Sequence, residues 1–332
     1  MKTIKSSVAI GLLLLAAIFT SCSSDDTTTT NNNNEPGELA LFVIDTARVN
    51  SISITGTNAT TIIDRMENLN SYISDLSISP DGTMIAYTNY QSVFSPDAAY
   101  KREVRVANID GTNDHIVFSS NASEVSIGAI RFGSDNKVFY VTQTYSPTNT
   151  RTMNLVNADG TGHEVITGSY NITDISDYNI TDISDDREYY LIPTGADNGN
   201  PTRMDIIDRD ADNGAGGLYH SEPFPTGQIA RGGKFTNDGK LVVIPFTESG
   251  EMKARIIDVA TKTATTKTLV PGLGSGWLSF HLEMAADSNR GVITLTGADY
   301  PKSKTYIFNL ETGEVSAPFE NSDENIFDVY IH

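Results

Sequence analysis

The sequence has few cysteines, few positive charges and few tryptophans. It contains a single cysteine in 332 residues, Cys22. That excludes an intramolecular disulfide and a cysteine-based zinc site. Lys and Arg number 23 against 42 Asp and Glu, a formal net charge of -19. A phosphate-binding surface needs clustered Lys and Arg, so the balance argues against a nucleic-acid partner and against docking on an anionic membrane surface. No long stretch carries the 3.6-residue period of an amphipathic helix. A serine-hydrolase elbow, a phosphate-cradling glycine loop and a zinc-binding HExxH helix are all absent. At 39% hydrophobic residues the chain has material for a sizeable core, which excludes wholesale disorder.

The first 22 residues read as an address. Lys2 and Lys5 give a positive start, and Val8 to Phe19 is an apolar run of signal-peptide length, short for a membrane span. Phe19-Thr20-Ser21-Cys22 places small residues directly before the cysteine. This resembles a bacterial lipobox, with Phe where Leu is usual, and it implies residues 1–21 as a signal peptide and Cys22 as the lipidated residue. The polar tract of residues 22–37, rich in Thr and Asn, reads as a flexible tether. Its Ser24-Asp25-Asp26 resembles the surface-export signal of Bacteroidota lipoproteins. The expected location is the outer membrane, facing the cell surface, with the periplasmic face as the alternative. Nothing after Cys22 is long and apolar enough to span a bilayer, so the lipid is the expected anchor.

From residue 38 onward, short β-rich runs alternate with Gly, Asn, Asp and Pro, which reads as all-β. The runs repeat. A polar turn precedes MIAYTNY, KVFYVTQ, EYYLIPT, KLVVIPF and RGVITLT. Taking Asp81, Asp135, Asp186, Asp238 and Ser288 as equivalent, the steps are 54, 51, 52 and 50 residues. Asp, Asn and Gly suit such turns because they tolerate positive φ or bond their own backbone. A second anchor, a strand ending at Asn108, Asn157, Asp208, Asp258 or Asn309, follows in the same order. Each unit then holds four strands, A to D, with the aspartate turn between A and B. Four-stranded units arrayed radially are propeller blades. Residues 39–64 read as strands B, C and D without an A, and IFDVYIH (326–332) as an A strand with nothing after it. Together they make a split blade, giving six four-stranded antiparallel blades in a single domain over 38–332, closed by pairing the C-terminal strand with the N-terminal blade.

ISPDGTMIAYTNY followed by VRVANIDGTNDHIV resembles the TolB-type propeller repeat. That family places Ser-Pro-Asp-Gly before the second strand and an Asp-Gly turn after the third. The likeness extends over most of 38–332 and is strongest over 79–118. TolB carries a further α/β domain ahead of its propeller. No counterpart is read here, so its role in the Tol–Pal system is not carried over. The octad Tyr170–Asp177 recurs as Tyr178–Asp185, and one copy is expected to pair in the sheet while the other lengthens the preceding loop.

Propeller B–C and D–A loops emerge together around the channel mouth. Loops on a rigid scaffold commonly carry binding. The candidates on that side are Tyr90, Tyr100, Tyr145, Asp197, Asp299, Tyr300 and the single tryptophan, Trp277, with its Gly-rich lead-in. Thr194-Gly195-Ala196-Asp197 and Thr296-Gly297-Ala298-Asp299 are read at the same repeat phase. Aromatic rings beside carboxylates suit neutral or cationic ligands, sugars among them. His115 and His163 fall at the outer edge of a blade, and only His281 and His332 lie near A strands, too few for a zinc site. Asp208, Asp210 and Asp212 alternate like calcium ligands, but the glycine falls one place late for an EF-hand loop and Tyr219 stands where its Glu should be. Asp208 also aligns with Asn108, so an enlarged C–D turn is the first reading and calcium the second. The sequence reads as a non-catalytic binding or protein-interaction module, monomeric and without a cofactor, with an unidentified protein or glycan partner. The alternative is a polysaccharide lyase or hydrolase with carboxylates at the channel mouth.

Overall fold

Five turns share one chemistry. Asp81 accepts the Thr83 backbone N–H at 3.0 Å, Asp135 that of Lys137 at 3.2 Å and Asp186 that of Glu188 at 3.0 Å. Asp238 accepts from Lys240 at 3.2 Å and Asp287 from Asn289 at 3.0 Å. The residue after each aspartate has positive φ: Gly82, Asn136, Arg187, Gly239 and Ser288. Ser288 is therefore the counterpart of Gly82, and the fifth turn aspartate is Asp287, which corrects the expected anchor by one residue. The turn needs a carboxylate two residues before the N–H it caps and a left-handed residue between them. Asp287, Ser288 and Asn289 are all polar, so composition alone does not choose among them.

The computed structural model describes residues 40–332 apart from 55–58, 66–70, 92–100, 124, 146–149, 167–179, 196–200, 212–215, 231, 274–276, 298–302, 317–318 and 322–325. For 229, 277–279, 319–321 and 326–328 only the backbone is described. The chain begins with β1 (Leu41–Asp45), β2 (Arg48–Ile52) and β3 (Thr60–Asp64). Blade 1 follows as β4 (Ser71–Ile78), β5 (Met84–Gln91), β6 (Lys101–Asn108) and β7 (His115–Ser120). Blade 2 is β8 (Val125–Phe132), β9 (Lys137–Thr144), β10 (Thr150–Asn157) and β11 (Glu164–Ile166). Blade 3 is β12 (Asp182–Ile183), β13 (Tyr189–Thr194), β14 (Arg203–Asp208) and β15 (Gly217–Pro223). In blade 4 the first strand is broken into β16 (Ile229–Ala230) and β17 (Lys234–Phe235), ahead of β18 (Leu241–Glu248), β19 (Glu251–Asp258) and β20 (Thr263–Val270). Blade 5 is β21 (Trp277–Met284), β22 (Arg290–Gly297), β23 (Ser303–Asn309) and β24 (Phe319–Asn321), and β25 (Ile326–Ile331) ends the chain.

All pairings are antiparallel, and β25 joins β1 to complete the sixth blade in the order β25-β1-β2-β3. Val43 faces Val329, and Ala40 and His332 exchange backbone hydrogen bonds at 3.3 and 2.9 Å. The first strands touch in a closed circuit, β4 to β8, β12, β17, β21, β25 and back to β4. The protein is thus an all-β, six-bladed propeller sealed by its C-terminal strand.

Alternation along the B and C strands turns apolar side chains to both neighbouring blades. The result is six apolar clusters, one in each blade–blade interface. Phe139, Leu155, Ile183 and Tyr190 knit blade 2 to blade 3, and Phe42, Val49, Ile85 and Tyr87 knit the composite blade to blade 1. The second octad supplies β12, with Ile180 and Ile183 buried, while the first lies outside the described residues.

Candidate functional site

Side chains of a strand alternate in direction, so every second residue of each A strand faces the axis. Two residues before the A–B turn stand Ser77, Arg131, Asp182, Lys234, Glu283 and Tyr330, one from each blade. All six line one cavity at the turn side of the axis, which holds only about 40 Å³. Four residues before the turn stand Asp75, Ala129, Ile180, Gly232 and His281, which line a wider cavity of about 270 Å³ on the opposite side, where the A strands begin. Asp328 holds the same position in β25, but only its backbone is described. β-Bulges between Ile73 and Leu76 and between Gly128 and Arg131 interrupt the first two A strands beside Asp75 and Ala129, which line this mouth.

The inner ring is a belt of paired charges. Arg131 Nη1 lies 2.6 Å from Asp182 Oδ2, which also accepts the Phe235 N–H at 2.8 Å. Arg131 Nη2 donates to Asn237 at 3.2 Å. Lys234 Nζ lies 2.6 Å from Glu283 Oε1, and His281 Nε2 lies 3.2 Å from the same oxygen. Burial alone would raise the Glu283 carboxyl, but Lys234 and His281 outweigh it and hold it below the usual range. Burial likewise opposes the Lys234 charge, and Glu283, Asp182 and Asp75 more than compensate, so its ammonium is held above its ordinary value. Each of these axial charges is thus matched by a neighbour, as partly buried charges require.

Asp75 differs. Its neighbours are the Leu76 N–H at 3.0 Å, the Ile130 N–H at 3.2 Å and the Tyr330 hydroxyl at 3.3 Å, all neutral donors. Burial in the channel wall pushes its carboxyl up to about 6, against the pull of the more distant Lys234. Around it, His281 meets the Tyr330 ring edge-on, centroids 4.9 Å apart. Thr181 Oγ1 is buried in the same lining with no hydrogen-bond partner among the described residues. Gly232, at φ +83°, brings no side chain to the blade 4 side of the mouth, and among the described residues a Cβ there would meet only Thr181, at 3.8 Å.

The residues proposed from sequence fall in three groups. Tyr90 is buried: its hydroxyl accepts the Ile127 N–H at 3.0 Å and donates to the Ile127 carbonyl, tying blade 1 to blade 2. Its ring stacks on that of Tyr72 at 4.8 Å, and Tyr72 is 45% exposed. Tyr145 is 56% exposed, with its hydroxyl 3.1 Å from Ser126 Oγ. Trp277 opens β21 opposite Gly297, on the mouth side of blade 5. Tyr100, Asp197, Asp299, Tyr300, Asp212 and Cys22 lie outside the described residues. The two Thr-Gly-Ala-Asp tetrads are not in phase. Thr194 pairs with Arg203, whereas the partner at the corresponding place in blade 5, Lys304, pairs with Leu295, one residue before Thr296. A one-residue slip in a strand reverses the face, so the tetrads are not equivalent.

Asp208 caps its own turn, accepting the Asp210 and Ala211 N–H groups at 2.9 and 3.1 Å. Asp210 pairs instead with Arg209 at 2.8 Å. Among the described residues no group of three His, Cys, Asp or Glu is placed to hold a metal. His115 and His163 sit at the outer edge of blades 1 and 2, bonded to the Ala158 carbonyl at 2.9 Å and the Tyr140 hydroxyl at 2.8 Å. His281 alone among the histidines lines the wide mouth.

A broader depression of about 640 Å³ lies on the outer side between blades 4 and 5, bounded by Leu269, Val270, Tyr306 and Val315. Its polar lining residues are Thr268, Tyr306 and Ser316, with Glu251 its one carboxylate. The axial mouth combines concavity with converging polar groups, and that combination marks ligand sites.

This geometry defines a TolB-like six-bladed propeller with a belt of paired charges along its axis. No protein-family model matches the chain, and no curated protein matches it in sequence. Solved structures do match in fold. TolB from Acinetobacter baumannii aligns with a TM-score of 0.60 and 15% identity over 88% of this chain, which spans 66% of the TolB chain, just under two thirds. A nidogen/laminin complex aligns at 0.56, with 12% identity, over 88% of this chain and 98% of the other. The periplasmic gluconolactonase PpgL of Pseudomonas aeruginosa aligns at 0.50, with 15% identity, over 87% and 85%. At these identities the likeness is one of fold.

Proposed function

We propose that this chain is a binding module of the bacterial cell envelope: a propeller tethered by a lipid on Cys22 that takes its ligand at the wide axial mouth. One observation carries the reading. The mouth of about 270 Å³ gathers Asp75, His281 and the Thr181 hydroxyl, which has no hydrogen-bond partner among the described residues, next to a belt of paired charges. The matched folds include a protein named as a lactonase and one solved as part of a protein complex, so fold alone does not choose between catalysis and binding. The balanced belt favours binding, because most of its ionised groups are already committed to one another.

The test is a thermal-shift panel of polysaccharide fragments, peptides and calcium on the full chain and on Thr181→Arg, which fills the mouth. A ligand that binds the native state raises Tm by mass action. The reading expects a shift in the wild type that Thr181→Arg abolishes. A shift of equal size in both proteins would overturn it.

The second reading is a lyase or hydrolase acting on extracellular polysaccharide. It rests on Asp75, a carboxylate raised by burial in a cleft that also holds His281, as acid–base chemistry requires. Turnover of an oligosaccharide that Asp75→Asn abolishes would select it.

A further inference from the structure

Among the described side chains the charges along the axis do not come out even. Two lysine or arginine cations are described there, and each is already paired: Arg131 with Asp182 at 2.6 Å and Lys234 with Glu283 at 2.6 Å. His281 leans on that same Glu283. Asp75, on the mouth side of the belt, is left with neutral donors only: two backbone N–H groups and the Tyr330 hydroxyl. Among the described side chains it is the axial carboxylate with no cation of its own. The space beside it is open. Gly232 and Ala129 stand where other blades carry large or charged residues, and Phe280 and Thr181 complete the wall.

We propose that the axial mouth is selective for a ligand bearing an ammonium group, which Asp75 receives as its missing counter-ion while Phe280 and the Thr181 hydroxyl contact the body of the ligand. This rests on the reading of the mouth as the binding site and adds the class of ligand. A part-buried carboxylate whose hydrogen bonds come only from neutral donors is held in an unfavourable state, and an incoming cation relieves it. The chemistry is shared by amino sugars and by lysine-like chains.

Recognition is therefore coupled to the charge on Asp75. Among the described residues the groups facing it are Tyr90 from its own blade, Lys234 from blade 4, Glu283 and His281 from blade 5, Tyr330 from the closing strand, and the Ile130 N–H from blade 2. Since burial places the Asp75 carboxyl at about 6, only about a tenth of the sites are competent at pH 5.

The test is calorimetric titration of the full chain with glucosamine and with 1,5-diaminopentane, each beside its neutral N-acetylated form, at pH 7.5 and pH 5. The proposal expects one or both amines to bind at least about tenfold more tightly than the acetylated form, and about tenfold more weakly at pH 5 than at pH 7.5. It expects Asp75→Asn to erase the preference while Asp210→Asn, on the outer turn, keeps it. The two amines distinguish an amino sugar from a chain amine. Equal binding of amine and acetylated forms, blocked by Thr181→Arg, would overturn the ammonium preference and leave the mouth as a site. Failure of every probe to bind would overturn the proposal. Amine binding untouched by both Asp75→Asn and Thr181→Arg would overturn the proposal and the mouth as a site.

Discussion

Tyr330 and Asp75 meet across the seam that closes the ring. The Tyr330 hydroxyl, from the closing strand, donates to Asp75 Oδ1 at 3.3 Å, linking residues 255 positions apart. The contact joins the architecture to the site, because the strand that seals the propeller also supports the carboxylate at its mouth.

Asp75 should make stability depend on pH. Its carboxyl stands at about 6 in the fold and near 3.8 when unfolded, so the native state holds the proton more tightly. The resulting stability is fully present below pH 3.8 and lost as pH rises through 6. The loss is on the order of 2–3 kcal/mol. Asp75→Asn removes the charge, so it should gain on the wild type between pH 4 and pH 8. Urea denaturation at the two pH values checks this, and a wild-type-to-variant gap that does not change with pH would contradict it.

Removing residues 326–332 should unseal the ring. Val329, Tyr330 and Ile331 are all at most 4% exposed, and burial of each such side chain is worth about 1.5–3 kcal/mol. The β25–β1 ladder goes with them. The truncated chain should melt far below the full one or fail to fold, and equal melting temperatures would refute closure by this strand.

The belt should tolerate loss of both partners better than loss of one. Arg131→Met leaves the Asp182 carboxylate, 3% exposed, without its cation, at a cost of about 3–5 kcal/mol. Adding Asp182→Asn keeps an acceptor for the Phe235 N–H and removes the stranded charge, so the double variant should recover part of that loss. Denaturant midpoints of the three proteins measure it. A double variant no better than the single would show that the two residues do not act as a pair.

Cys22 is the proposed anchor point. Cells fed a labelled fatty acid should label the wild-type protein, and Cys22→Ala should abolish both the label and membrane association. Label that persists in Cys22→Ala would place the lipid elsewhere.

The ring was legible from the sequence because its signals are local. Each A–B turn needs an aspartate two residues ahead of the N–H it caps, so the repeat recurs in letters as well as in shape. The split blade was legible from one unpaired strand at each end. The axial site was not. Asp75, Arg131, Asp182, Lys234 and Glu283 come from different A strands, with no one residue type common to all, and only the closed ring brings them together. A polar residue two places before each turn was the available signal, hidden by variation in charge from blade to blade. The aromatic ring of Tyr90 near a long loop points to a ligand contact in the sequence, whereas its hydroxyl is spent bridging blades 1 and 2. One letter of ambiguity at Asp287-Ser288 was enough to make two tetrads look equivalent when the strand register sets them apart.

The most direct test of the account is amide hydrogen exchange of the full chain with and without the first ligand that raises Tm. The account predicts new protection at residues 73–76, 180–183 and 280–284, where the first strands border the wide mouth. Protection confined to 268–271 and 313–316, the outer depression between blades 4 and 5, would contradict it.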